Sequence, residues 1–293
     1  MRTTPSSAST SGSDLVSPLA ELVEVTGVDP PLDGLWYPSS ARQERGPVVL
    51  CHGNTMNFYT GPPRFLPPAL VAAGFGSLAL NRRGHDILST RDSRAPVGGA
   101  FQTAAEGLAD TAAAVGYAAD RTGRTPILVG HSNGGMLAAA HAAAHPVGAL
   151  ILMSAHLGGP EIVRLSCEAG QLAAGRLEET IDIARRLVAD GRGDELLLLP
   201  GWWYAISADS LLDRLEHTPS LLRSAETIGC PVLFVVGAGE DPAVYPAHTF
   251  AERTSGRSDV VVVPECDHFY RGREDQVATI VADWLTEHAP IGT

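Results

Sequence analysis

The chain has 293 residues and a formal net charge of −12, with 44% hydrophobic and 18% charged residues. That length and apolar share suit one large domain with a sizeable core, and they exclude a disordered chain. The acidic balance argues against a nucleic-acid backbone or an anionic membrane as partner, and for a small neutral or apolar molecule.

The chain begins with "MRTTPSSASTSGSD", rich in Ser and Thr and without the apolar stretch of a signal peptide, so residues 1–18 are expected to form a flexible tail. "AELVEVTGV" then alternates like a strand, and "PLDGLWYPS" reads as its partner across a Pro/Asp turn. Short apolar runs follow, separated by helical patterns. "GPVVLCHG", "GSLALNRRG", "TPILVGH" and "VGALILMSAH" read as buried strands. "PRFLPPALVAAGF", "TAAEGLADTAAAVGYAADRTG" and "GGMLAAAHAAAHP" read as the helices between them. Continuous apolar strands joined through helices predict a mostly parallel sheet covered on both faces.

The rhythm breaks over residues 159–228, where "EETIDIARRLVADG" and "ADSLLDRLEHTPSLLRSAE" are helical and "LLLLPGWWYA" shows no clear strand. The alternation resumes with "CPVLFVVGAGEDP", "AHTFAERTSG", "DVVVVPECDH" and "REDQVATIVADWLTEHA". The expected organisation is therefore an α/β core of residues 19–158 and 229–293, with residues 159–228 as a helical cap at the sheet's C-terminal edge. No apolar run approaches the ~20 residues of a membrane span. The four cysteines, Cys51, Cys167, Cys230 and Cys266, form no C-x-x-C pair and suit a reducing compartment, so a cytoplasmic protein is expected.

Gly130-His131-Ser132-Asn133-Gly134 fits G-x-S-x-G, but in a chain with 31 glycines the pentapeptide alone decides nothing. Its surroundings decide more. A strand leads in and an Ala-rich helix leads out, as a strained turn presenting a nucleophile requires. Gly130 and Gly134 permit close backbone approach, and the helix N-terminus favours negative charge in front of Ser132.

A serine nucleophile needs a base, and the base needs an orienting acid. Of the ten histidines, His268 lies in the loop after the last strand, where such a sheet presents its active edge. His131 is expected to face away across the turn and His52 to shape its own turn; His85 and His156 follow strands and are lesser candidates for lining the site. For the acid, Asp241 follows the preceding strand at the same edge, with its neighbour Glu240 as rival. Asp259 begins a strand and so lies at the opposite edge, and Asp267 sits too close to His268 in sequence to grip its ring. Asp241 is the expected acid. For the oxyanion, the backbone N–H of Asn133 is one expected donor and that of Asn54, in "HGNTM", the other; Thr55 adds a hydroxyl or replaces Asn54.

The order Ser132, Asp241, His268, together with "GHSNGG" and an early "HGN", resembles the α/β-hydrolases over roughly residues 20–288. The resemblance implies an eight-stranded, mostly parallel sheet and acyl transfer to water without a cofactor. The sequence carries no H-x-H-x-D-H cluster, so no metal is expected. "NRRGHD" is similar to the Arg-Gly segment of epoxide hydrolases and haloalkane dehalogenases, but those carry Asp where Ser132 stands. The HGGG stretch of one lipase group is absent.

The expected activity is hydrolysis of a carboxylic ester, with a bulky or aromatic lactone as one form of substrate. Trp202, Trp203 and Tyr204, with Thr55 and His156, are the candidate substrate-binding residues; the three aromatics fit a cap core or the interface of a homo-oligomer equally well. A C–C bond hydrolase, an acyltransferase and a non-catalytic small-ligand receptor are the alternatives.

Overall fold

The computed structural model describes residues 19–41, 44–90, 96–201 and 205–289; the expected tail, residues 1–18, lies outside the described residues. Eight strands form the central sheet: β1 (Glu21–Val25), β2 (Leu32–Tyr37), β3 (Pro47–Cys51), β4 (Gly76–Leu80), β5 (Ile127–His131), β6 (Leu150–Met153), β7 (Val232–Gly237) and β8 (Ser258–Val263). Their order is β1-β2-β4-β3-β5-β6-β7-β8. β2 runs antiparallel to both its neighbours, and the other pairings are parallel. This is the mostly parallel sheet that the apolar runs predict.

The helices are α1 (Pro62–Ala72), α2 (Ala104–Thr122), α3 (Asn133–Ala144), α4 (Gly159–Glu168), α5 (Leu177–Ala189), α6 (Ala208–His217), α7 (Leu221–Ala225), α8 (Ala247–Arg253) and α9 (Glu274–His288). Alternation along the buried strands divides the core between the sheet's two faces. Leu128 of β5, Leu150 and Leu152 of β6 and Phe234 of β7 pack with residues of α2, α3, α7 and α8. Ile127, Val129, Ile151, Met153 and Val235 pack on the other face with Leu66 and Leu70 of α1 and Val277, Val281 and Leu285 of α9. Local signals set the ends of the longest helix. Thr103 and Glu106 form a capping box that starts α2, and Gly123 ends it in the left-handed conformation.

Between β6 and β7 lies the helical insert, with an apolar core of its own built from Ile162, Val163, Leu177, Ile181, Ile206 and Leu211 among others. Two features depart from the sequence-based expectation. First, "LLLLPGWWYA" contributes strand after all: Leu196–Leu198 pairs antiparallel with Ala205–Ser207 as a small ribbon. Both segments are too short to show a period, and Trp202, Trp203 and Tyr204 between them lie outside the described residues. Second, the helical run through residues 208–226 is two helices. Pro219 holds Thr218 extended (φ −59°, ψ 123°) and stops α6. Leu221 and Ala225 of α7 then join the core of the sheet rather than that of the insert.

The insert is fastened to the sheet's loops by polar contacts. The Ala104 N–H donates to Asp213 Oδ2 at 2.6 Å, and the Ser207 N–H donates to the Ala100 carbonyl at 2.8 Å. Among the described residues no helix is long and apolar enough to cross a membrane.

Candidate active site

Ser132 sits between the end of β5 and the start of α3, with φ 53° and ψ −118°, a backbone conformation that L-residues rarely adopt. Packing holds it there. A Cβ on Gly130 would lie 2.4 Å from the Gly134 carbonyl oxygen, and one on Gly134 would lie 2.3 Å from that of His52. Only glycines allow strand, elbow and helix to approach so closely. The Ser132 N–H donates to the Met153 carbonyl at 2.9 Å, tying the elbow to the end of β6. α3 begins at Asn133, so its first N–H groups lie beside the Ser132 side chain.

His268 lies in the loop after β8 and lines the same cavity as Ser132. Its Nδ1 meets Glu240 Oε1 at 2.7 Å, with the Glu240 side chain 4% and the His268 side chain 12% exposed. Here the structure corrects the sequence-based assignment of the acid. Asp241 is exposed, and its Oδ1 accepts the Ala243 N–H at 2.9 Å as a turn cap. The reason is the turn at the end of β7. The Glu240 N–H donates to the Gly237 carbonyl at 3.1 Å, which curls Glu240 back over the strand end while Asp241 starts the following turn.

Glu240 is held at its second oxygen too. Oε2 accepts the Ser154 hydroxyl at 2.6 Å and the Gly237 N–H at 2.8 Å. Tyr270 continues the network, its hydroxyl 2.7 Å from Ser154 Oγ and 3.1 Å from the Val235 carbonyl. Burial raises the Tyr270 phenol well above its ordinary range, so it stays protonated. With Glu240 accepting at Nδ1, that nitrogen of His268 carries the proton and Nε2 keeps its lone pair.

His131 does not face away: its ring lies tilted against that of His268, with centroids 4.7 Å apart and planes at 42°. Its Nε2–H donates to the His268 carbonyl at 2.8 Å, and its buried Nδ1 has no partner among the described residues. Burial, reinforced by the nearby His268, pushes its pKa down to about 3, so the ring is neutral. The signal was the strand's parity. His131 shares a face with Ile127 and Val129, the face covered by α9 and the loop that leads into it.

The turn after β3 forms the opposite wall. Asn54 and Thr55 line the cavity, and Thr55 adopts a positive φ of 55°. A Cβ on Gly53 would lie 3.3 Å from Ser132 Cβ, which measures how closely this turn passes the elbow. Two arginines brace it. Arg82, fully buried after β4, donates from Nη2 to the His52 carbonyl at 2.6 Å and from Nη1 to Asn133 Oδ1 at 3.3 Å. It thus ties the turn to the elbow. Arg214, on α6 of the insert, donates to Asn54 Oδ1 at 3.1 Å and to the Gly99 carbonyl at 3.0 Å. Sequence reasoning missed both. "NRRGHD" marked Arg82 only as a family likeness, and nothing local to Arg214 points towards Asn54.

His52 plays the structural part expected of it, donating from Nδ1 to the Gly53 carbonyl and accepting the Arg82 N–H at Nε2. His85 belongs elsewhere. It pairs with Asp86 and borders a separate cleft beside Pro30 and Pro31. His156 does line the cavity, together with Ile162, Ser166 and Gln171 from the insert and Tyr245 from the loop after β7. The cavity measures ≈ 220 Å³.

Residues 48–280 match the model of the Alpha/beta hydrolase family. No curated protein matches the chain in sequence. Its fold is similar to that of an alpha/beta hydrolase, GrgF, from Penicillium sp. sh18, at 17% identity and a TM-score of 0.69, over 92% of this chain and 99% of that one. It is similar also to a soluble variant of monoglyceride lipase from Saccharomyces cerevisiae, at 14% identity and a TM-score of 0.67, over 94% and 98% of the two chains. Est1E from Butyrivibrio proteoclasticus with bound ferulic acid aligns at 18% identity and a TM-score of 0.65, over 91% and 98%.

Proposed function

Because the chain belongs to the alpha/beta hydrolase family, we propose that it is a serine hydrolase of carboxylic esters, working through Ser132, His268 and Glu240. The observation that carries this reading is the 2.7 Å contact from His268 Nδ1 to Glu240 Oε1, beside a serine held on a strained elbow in the same cavity. His268 Nε2 takes the Ser132 proton as Oγ attacks the ester carbonyl. Glu240 keeps the ring in the tautomer that can do so and stabilises the imidazolium that results. The N–H groups of Asn133 and Asn54 receive the charge that develops on the carbonyl oxygen, with the Thr55 N–H or hydroxyl as the alternative to Asn54. His268 returns the proton to the leaving alcohol, and water, activated by the same ring, releases the acid.

The insert serves as the cap, closing the cavity over Ser132 with Ile162, Ser166 and Gln171. A volume of ≈ 220 Å³ lies below the ~300 Å³ lower end of ordinary ligand pockets and favours a compact acyl group. The bulky aromatic lactone expected from Trp202, Trp203 and Tyr204 rests on positions outside the described residues. The names of the similar structures (an esterase with ferulic acid, a monoglyceride lipase) agree with ester chemistry.

The test is turnover of p-nitrophenyl acetate and butyrate by the wild type and Ser132→Ala. Saturable hydrolysis that Ser132→Ala reduces to background supports the proposal. Equal hydrolysis by both proteins overturns it.

A further inference from the structure

His156 lines the cavity from the loop after β6, and the chain around it is held on two sides. The Leu157 N–H donates to the Val244 carbonyl at 2.8 Å, the Leu221 N–H donates to the Leu157 carbonyl at 2.9 Å, and the Gly159 N–H donates to the Pro219 carbonyl at 3.0 Å. Gly158 lies between these clamps with φ 70°, and a Cβ there would sit 2.0 Å from the Pro219 carbonyl oxygen. These bonds hold the turn so that the Gly158 N–H points at His156 Nδ1, 3.1 Å away.

A backbone N–H can only donate, so Nδ1 must hold its lone pair, and a neutral ring then carries its proton on Nε2. Burial, then His268 and Arg214 nearby, pushes the pKa of His156 down to about 3, which keeps the ring neutral at ordinary pH. This nitrogen is not the base. The ring is instead a neutral donor of fixed tautomer.

The geometry points to His156 Nε2–H as a specificity-determining donor, selecting esters that carry a second, uncharged oxygen within a few bonds of the scissile carbonyl. An ether, keto or hydroxyl oxygen in the acyl or the alcohol part meets this donor. A plain alkyl ester of the same shape leaves it unpaired in the cavity, at the cost of an unmade hydrogen bond. The inference rests on the serine-hydrolase reading and narrows it to a substrate class.

Two isosteric pairs test it: p-nitrophenyl methoxyacetate against butyrate for the acyl side, and 2-methoxyethyl acetate against butyl acetate for the alcohol side. Within each pair, the ratio of kcat/KM values cancels differences in protein quality, and comparing that ratio between proteins cancels intrinsic reactivity. In His156→Phe the oxygen-to-methylene ratio should fall about tenfold for at least one pair, the scale of one neutral hydrogen bond. His156→Gln, which keeps an N–H donor, should hold that ratio within about threefold of wild type. His156→Leu replaces the Phe variant if that one does not fold.

Ratios that are the same in wild type and in the Phe or Leu variant, for both pairs, overturn the inference and leave the hydrolase reading intact. A wild type that turns over none of the four esters and is not labelled by a fluorophosphonate at Ser132 overturns both.

Discussion

Glu240 Oε1 accepts the Nδ1–H of His268 at 2.7 Å, while the neighbouring Asp241 turns outward to cap the Ala243 N–H. Two adjacent carboxylates thus have opposite environments, one almost fully buried against the imidazole and one in water. Glu240→Gln leaves the shape of the network but removes the charge that fixes the His268 tautomer. Its kcat should fall by about 10³–10⁴-fold, the scale seen when a triad acid becomes its amide. Asp241→Asn should stay within about threefold of wild type, since it loses only a surface turn cap. Steady-state kinetics on p-nitrophenyl butyrate decide between them, and the reverse ranking would return the role to Asp241.

Arg214 reaches from the insert to the Asn54 side chain and the Gly99 carbonyl. Arg214→Ala should loosen the turn that carries one oxyanion donor, so kcat should fall by about tenfold or more while the fold survives. A matched loss of kcat and kcat/KM would show that the turn acts in the transition state. A rise in KM alone would mean that Arg214 only shapes the cavity.

Buried histidines contribute to the acid limb of stability, and His52 is one of them: burial first, then the Arg82 guanidinium, holds it well below the usual range. Burial first, then neighbouring histidines, holds His131 and His156 at about 3 and His141 at about 4, against 6.5 when unfolded. Each folded-state pKa is depressed, so between pH 6.5 and those values the unfolded chain binds more protons. Stability should therefore be full above about pH 6.5 and fall as the pH drops towards 3 or 4, by up to about 1.4 kcal/mol per pH unit per histidine. His141 lies on α3, and its buried Nε2 has no partner among the described residues. His141→Leu should shrink the stability lost between pH 8 and pH 5 by on the order of 1 kcal/mol in urea titrations. An unchanged loss would show that His141 titrates normally.

Tyr270 links Ser154 to the Val235 carbonyl from a fully buried position. Tyr270→Phe keeps the ring packing and removes the hydroxyl, so unfolding free energy should drop by about 1 kcal/mol. A loss beyond about 3 kcal/mol in chemical denaturation would mean that the hydroxyl anchors more than this network.

Much of this architecture was legible because burial on both faces leaves a plain mark. The runs around Val48–Cys51, Ile127–His131 and Val232–Gly237 are almost continuously apolar, and helices alternate with them. The order of serine, acid and histidine followed from which loops leave the sheet's C-terminal edge. What stayed hidden depends on turns and on distant partners. Nothing in "GAGEDP" says which of two adjacent carboxylates curls back, because that depends on the bond from the Glu240 N–H to the Gly237 carbonyl. Parity along β5 would have placed His131 against the loop that carries His268. Arg82 and Arg214 act across 51 and 160 residues of chain, and no local pattern encodes such pairings.

Ser132 is proposed to act as a nucleophile activated by His268. The most direct measurement is intact-protein mass spectrometry after exposure to a fluorophosphonate, with peptide mapping of the adduct. One adduct per chain on Ser132, lost in Ser132→Ala and strongly slowed in Glu240→Gln, is the predicted result. An unmodified protein, or an adduct that persists in Ser132→Ala, would contradict it.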